Sequence, residues 1–168
     1  MNRNTVHLEL INLSHADDVQ RLANDSAIAA TSNVPYPYPK DGARTWITSE
    51  MDKQKQGTSY AFAILNEEKD FVGVVTLMSV NQHNATAGLG YWIGQPFWGK
   101  GYGSSAAHRC ISYAQEELGI KEIGASCLEH NTASRRILEK VGFKEVGNRK
   151  KHEQGIILAY QWISDNQD

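Results

Sequence analysis

The chain has 168 residues, 40% of them hydrophobic and 21% charged, with a formal net charge of -2 at pH 7. That length suits one domain, expected over 1–168, burying roughly two-thirds of its unfolded surface. The near-neutral balance gives no basic field for nucleic acid, and no apolar run reaches a bilayer-spanning length, so a soluble, cytoplasmic protein independent of membranes is expected.

The start, Met1 to His7, carries no long apolar segment of the kind a secretory leader needs. Val6–Leu10 alternates as a half-buried strand does. Ser14 followed by Asp17 offers an N-cap and a first-turn acid for a helix to about Asn24, with Val19, Leu22 and Ala23 on one face. From Asn24 to Asp41 the periodicity is lost. Within it, Asn33–Pro39 holds three prolines with Tyr36 and Tyr38 between them, and each proline biases its predecessor towards extended backbone, so the segment is irregular and stiff. Asp41–Lys55 predicts a helix with Ala43, Trp46, Ile47 and Met51 at helical spacing. Ser59–Leu65 and Phe71–Met78, joined by a short polar connection, predict a hairpin, and Ala85–Ile93 a further strand.

That strand runs through Pro96 into Gly99, Gly101 and Gly103 and then into an Ala-rich helix. A glycine loop at a helix start gathers backbone N–H groups that lack intrahelical partners, where the macrodipole favours negative charge. A Walker A loop is excluded because Lys100 is followed by Gly101. The Ala variant of the dinucleotide fingerprint is satisfied by Gly101-Tyr102-Gly103-Ser104-Ser105-Ala106, but Glu122 starts the next strand rather than ending it. A plain strand-to-helix turn stays open beside these readings. Ala106, Ala107, Cys110, Ile111, Ala114 and Leu118 form an apolar stripe that Gly119 ends, Glu122–Leu128 predicts a strand, and Asn131 starts a helix that Gly142 terminates. Phe143–Lys150 and Ile156–Ile163 predict a closing hairpin around His152–Gly155. Cys110 and Cys127 read as reduced core residues, and the histidines show no ligand spacing, so no metal is expected.

Trp98-Gly99-Lys100-Gly101-Tyr102-Gly103, taken with Asn131–Phe143, resembles motifs A and B of the GNAT superfamily of N-acetyltransferases. Trp at the first place of the loop is similar to the ribosomal-protein N-terminal acetyltransferase (RimJ/RimL) branch, and the resemblance runs from about Leu8 to Trp162. It implies an α/β (α+β) fold with a central, mostly antiparallel mixed sheet flanked by helices. It also implies acetyl-coenzyme A (acetyl-CoA) as cosubstrate. The acceptor would be a primary amine, of a protein N-terminus or a small molecule, attacking directly in a ternary complex of a monomer or homodimer. By the same resemblance Trp92, Ile93 and Gly94 are backbone partners of the pantetheine arm. Trp98 is a further cofactor-binding residue, and Gly99, Lys100, Gly101, Tyr102, Gly103 and Ser104 hold the pyrophosphate; because glycine has no Cβ, a larger residue at 101 or 103 is expected to block its approach. Asn131, also an N-cap candidate, contacts the pantetheine or acetyl end, and Tyr36 and Tyr38 belong to a wall of the acceptor pocket.

Amine acetylation needs a neutral amine, a way out for its proton, and a donor for the departing thiolate. Many family members carry a Tyr as that donor four residues before the motif B glycine, where this chain has Leu138. The RimJ/RimL branch has a Ser matching Ser134, so Ser134 is assigned as proton donor. Glu129 is the candidate base, directly or through water; the neighbouring His130, a lone His beside a helix start, is not read as catalytic. Because Leu138 replaces the usual acid, a non-catalytic acyl-CoA-binding sensor stays open as the alternative, and a nucleotide-binding regulator as a third reading.

Overall fold

The structure, a computed structural model, describes residues 5–165. The first four and last three positions, which carry the outer ends of the expected domain and part of the leader reading, lie outside the described residues. Seven strands form one sheet: β1 (His7–Leu10), β2 (Tyr60–Leu65), β3 (Phe71–Asn81), β4 (Thr86–Ile93), β5 (Glu122–Leu128), β6 (Lys144–His152) and β7 (Gly155–Ile163). Their order is β1-β2-β3-β4-β5-β7-β6, and every adjacent pair is antiparallel except β4 with β5, which is parallel. This is the mixed, mostly antiparallel sheet the resemblance implied.

Helices cover both faces, which is why β2 and β3 read as near-continuous apolar runs. Side chains along a strand alternate between faces, and β2 shows it: Ala61 and Ala63 join one buried cluster, Phe62 and Ile64 the other. The first cluster holds α1 (Ala16–Ala23) and α3 (Gly42–Gln56) through Val19, Ala43 and Ile47. The second holds α4 (Tyr102–Leu118) and α5 (Thr132–Lys140) through Ala106, Cys110, Ala114 and Leu138. Between α1 and α3, the expected irregular stretch contains a single helical turn, α2 (Ser26–Ala29), where the Asp25 carboxylate accepts from the Ala27 N–H at 2.9 Å.

The chain's entry into α1 differs from the expected Ser14 cap. Asn12 caps a 3-10 turn over Leu13–His15 by accepting from the Ser14 N–H, while His15 Nδ1 accepts from the Asn12 N–H at 3.1 Å. The imidazole thus takes the place usually filled by Glu or Gln in a capping box. Among the described residues no helix is long and apolar enough to cross a membrane.

The feature that positions the site is a seam. The pairing of β4 with β5 is Thr86 with Glu122, Ala87 with Ile123 and Gly88 with Gly124, and it stops there. Beyond it β4 stays paired to β3 as far as Ile93, and β5 to β7 as far as Leu128. The two strands therefore part while each remains held by its outer neighbour.

Candidate active site

A peptide in a strand turns its N–H and C=O to alternate sides. The Gly94 N–H donates to the Val72 carbonyl on β3 at 2.8 Å, and the Ala85 carbonyl accepts from the Lys121 and Glu122 N–H groups on the β5 side. Even-numbered residues of β4 thus face β3, and Leu89, Tyr91 and Ile93 turn their peptide groups into the gap. Of the three backbone partners expected for the pantetheine arm, only Ile93 has this orientation. Trp92 pairs with Val74 on β3, and Gly94 gives its N–H to β3 while its carbonyl accepts from the Phe97 N–H at 2.9 Å. The Trp92 ring packs instead near Phe71 at 6.5 Å between centroids, and Gly94 lies against Leu22 of α1.

The glycine loop closes one end of the gap. Gly99 and Gly101 have φ of 76° and 82°, a region that only glycine adopts without strain. The first intrahelical bond of α4 is the Ser105 N–H to the Gly101 carbonyl at 3.2 Å, and no side chain caps the helix. The N–H groups of Tyr102, Gly103 and Ser104 are therefore open to an anion at the positive end of a long helix. Trp98 donates from Nε1 to the Ile93 carbonyl at 2.7 Å, tying the loop to the strand edge it follows. Gly103 lines the gap and also meets a neighbouring helix. A Cβ at this position would lie 2.7 Å from Ile137 Cδ1, so its small size serves the contact of α4 with α5. The Lys100 ammonium lies 5.8 Å from the Phe97 ring centroid.

Across the gap, α5 begins at Asn131, whose side chain accepts from the Ser134 N–H at 3.1 Å and so caps the helix. The Ser134 hydroxyl lies 2.8 Å from the Tyr91 phenol oxygen. Burial pushes the Tyr91 phenol up to about 12, with the Ser134 hydrogen bond acting in the opposite direction. Burial also raises the nearby Cys127 thiol, again opposed by Ser134. Leu138, at the position of the family's usual acid, is 1% exposed and belongs to the core.

These elements line a cavity of about 980 Å³ that passes through the gap and reaches both faces of the sheet. On the α4 and α5 face it meets Tyr91, Ile93, the loop residues Trp98, Gly99, Gly101 and Ser104, and also Asn131 and Ser134. On the other face it meets Ile28, Thr31–Pro35, Tyr38 and Trp46. Tyr38 is thus brought to the wall, whereas Tyr36 is 56% exposed and outside the lining. Glu129 is also outside it: its carboxylate accepts from Arg149 Nη1 at 3.2 Å. His130 does line the cavity, with Nε2 3.0 Å from the Gln154 carbonyl. Tyr91 and Cys127 are lining residues that sequence reasoning did not single out. For Tyr91 the signal was present: Leu89, Tyr91 and Ile93 share one face, and a polar tip on an inward-facing strand position needs a partner.

The donor set fits acetyl-CoA: open helix N–H groups for the pyrophosphate, a strand edge with peptide groups free of strand partners for the pantetheine amides, and a cavity of the right order of size. Residues 5–144 match the family described as acetyltransferase (GNAT) domain. The uncharacterized N-acetyltransferase p20 of Bacillus licheniformis is 27% identical over 148 residues, 88% of this chain and 83% of that protein. The ribosomal protein uS5-alanine N-acetyltransferase of Escherichia coli (strain K12) is 32% identical over 122 residues, 71% of this chain and 60% of that protein, so the match spans less than two thirds of that relative. Among solved structures, RimL, a ribosomal L7/L12 alpha-N-protein acetyltransferase in complex with coenzyme A, superposes with a TM-score of 0.84 at 18% identity, over 96% of this chain and 95% of that one. The chain belongs to the GNAT acetyltransferases and is an N-acetyltransferase whose acetyl donor is acetyl-CoA.

Proposed function

We propose that this acetyltransferase transfers acetyl directly to the unprotonated α-amine of a protein N-terminus, in a ternary complex entered from both faces of the sheet. The observation that carries this reading is the cavity that passes through the β4–β5 gap. The cofactor's loop and strand edge lie on one face and the wall of Thr31–Pro35, Tyr38 and Trp46 on the other, so donor and acceptor can meet without a covalent enzyme intermediate. Ser134 is the group that donates to the departing sulfur. Glu129, held by Arg149 outside the lining, is left a route through water to the amine.

The acceptor class is supported by charge. No Asp or Glu is among the described residues lining the cavity, whereas a polyamine would need carboxylates to offset several ammonium groups. The relatives described above are named for a ribosomal-protein alanine and for the α-amine of a ribosomal protein. A small-molecule monoamine is the second reading. It is favoured by one contact: Gln154 Nε2 donates to the Ala29 and Ala30 carbonyls at 3.2 and 3.3 Å, tying the β6–β7 turn across to the helical turn at Ser26–Ala29 and narrowing the acceptor mouth.

The test is thiol release from acetyl-CoA with hexapeptides beginning in Ala or Ser, with spermidine and with simple monoamines. Turnover with the peptides is expected, falling about 100-fold in Ser134→Ala, the scale of losing one transition-state hydrogen-bond donor. Turnover with monoamines alone would replace the protein acceptor by the small one, and preference for spermidine would refute the charge argument.

A further inference from the structure

Tyr91 lies on the face of β4 that packs against α4 and α5, and its phenol oxygen is within reach of two atoms of one residue: Ser134 Oγ at 2.8 Å and the Ser134 carbonyl at 3.3 Å. A phenol has one hydrogen to give. Given to the carbonyl, it leaves the phenol oxygen to accept the Ser134 hydrogen, which then points away from the reacting sulfur. Given to Oγ, it leaves the Ser134 hydrogen free for the gap. The Ser134 backbone is already fixed by the Asn131 cap, and the neighbouring Cys127 thiol is at best a weak hydrogen-bond partner. The rotor of this one hydroxyl is thus set chiefly by Tyr91.

We propose that Tyr91 is a positioning residue for acetyl transfer: by donating to Ser134 Oγ it presents the Ser134 hydrogen to the coenzyme sulfur as the C–S bond breaks. The inference rests on the role given to Ser134 under Proposed function. In the step the amine N–C bond forms, the thioester C–S bond breaks, sulfur keeps the electron pair, and the amine's surplus proton passes to water. Ser134 and Tyr91 keep their protons, since both are weaker acids than a thiol, and they stabilise the thiolate as two hydrogen bonds in series, each polarising the next. Burial keeps the phenol neutral throughout the range in which a thiolate forms.

Tyr91→Phe, Ser134→Ala and the double variant are compared with the wild type in steady-state acetylation of the Ala-initiated hexapeptide, with acetyl-CoA affinity measured by calorimetry. Tyr91→Phe is expected to lower kcat roughly tenfold while peptide KM and acetyl-CoA Kd stay within about twofold, and to add nothing in the Ser134→Ala background. In Ser134→Thr, which keeps the hydroxyl, the sensitivity to Tyr91→Phe persists. An unchanged kcat in Tyr91→Phe, or an equal fall with and without the Ser134 hydroxyl, overturns the positioning role while leaving the transfer reading intact. A wild type that binds acetyl-CoA yet acetylates no amine overturns the transfer reading, and this inference with it.

Discussion

Two glycines of one loop should respond in opposite ways to the same added methyl group. In Gly103→Ala the new Cβ would sit 2.7 Å from Ile137 Cδ1, close enough that α5 or the side chain must move. Overpacking of this kind costs about 1–3 kcal/mol. Alanine recovers part of the ~1 kcal/mol by which it exceeds glycine in a helix interior, since residue 103 is only in the first turn of α4. A net loss of about 1–2 kcal/mol follows, or roughly 3–6 °C in Tm for a chain of this size. Ile137→Val deletes the clashing carbon at a cost of about 0.5–1 kcal/mol on its own. In that background Gly103→Ala should be close to neutral, a coupling of about 1 kcal/mol. Acetyl-CoA affinity should hold within about threefold, because the 103 N–H is kept and the methyl points at α5. Gly101→Ala meets no atom within 4 Å, yet must hold a φ of 82°. The left-handed strain of about 1–2 kcal/mol falls on the turn that aims the open N–H groups, so affinity should drop roughly tenfold or more. Urea unfolding of the 103 and 137 single and double variants, with calorimetric titration of acetyl-CoA into each and into Gly101→Ala, reads both quantities. Additive stabilities, or lost binding in Gly103→Ala, would show that Gly103 is there for the cofactor after all.

Trp98→Phe removes the donor that engages the Ile93 carbonyl at 2.7 Å; with a net hydrogen bond worth about 1 kcal/mol, acetyl-CoA Kd should rise about fivefold in the same titration. Asn131→Ala strips the cap of α5 and should cost about 1 kcal/mol of stability, read as a fall of about 2–4 °C in Tm. The Tyr91 phenol, pushed by burial from 10.0 to about 12, favours the folded state while neutral. Its contribution is complete below pH 10 and lost between pH 10 and 12, at most about 2–3 kcal/mol. Urea midpoints across that window should fall more steeply in the wild type than in Tyr91→Phe, and parallel curves would contradict the assignment.

The glycine loop, its helix and the strand order of the central hairpin were legible because their signals are local: period-two apolar runs, φ-permissive residues and an Ala-rich stripe. What stayed hidden depends on distance in three dimensions. Whether Glu129 faces a substrate or a cation is decided by Arg149, twenty positions away on β6. That Gly103 also makes room for Ile137, on another helix, shows only in three dimensions. The peptide orientation that separates Ile93 from Trp92 and Gly94 follows from one hydrogen bond to Val72, which no spacing along β4 announces. Ser14 lost the cap to Asn12 because His15, a residue outside the usual capping pattern, completed the reciprocal pair. The nucleotide-regulator and sensor readings rested on a short fingerprint and on Leu138, and the family match over residues 5–144 displaces both.

The short parallel register between β4 and β5 also has a mechanical meaning. One half of the sheet, β1 to β4, and the other, β5 to β7, are stitched directly by three residue pairs, with the helices bridging above and below. A ligand whose amides lie along the β4 edge would lengthen that stitch, acting as a removable cross-tie between two half-sheets. Amide hydrogen exchange would report this as slower opening at Tyr91 and Ile93 and along facing β5, with β2 and β3 little changed. The cofactor would then be part of what holds the halves in register, and its departure after each turnover would briefly return the protein to its looser form.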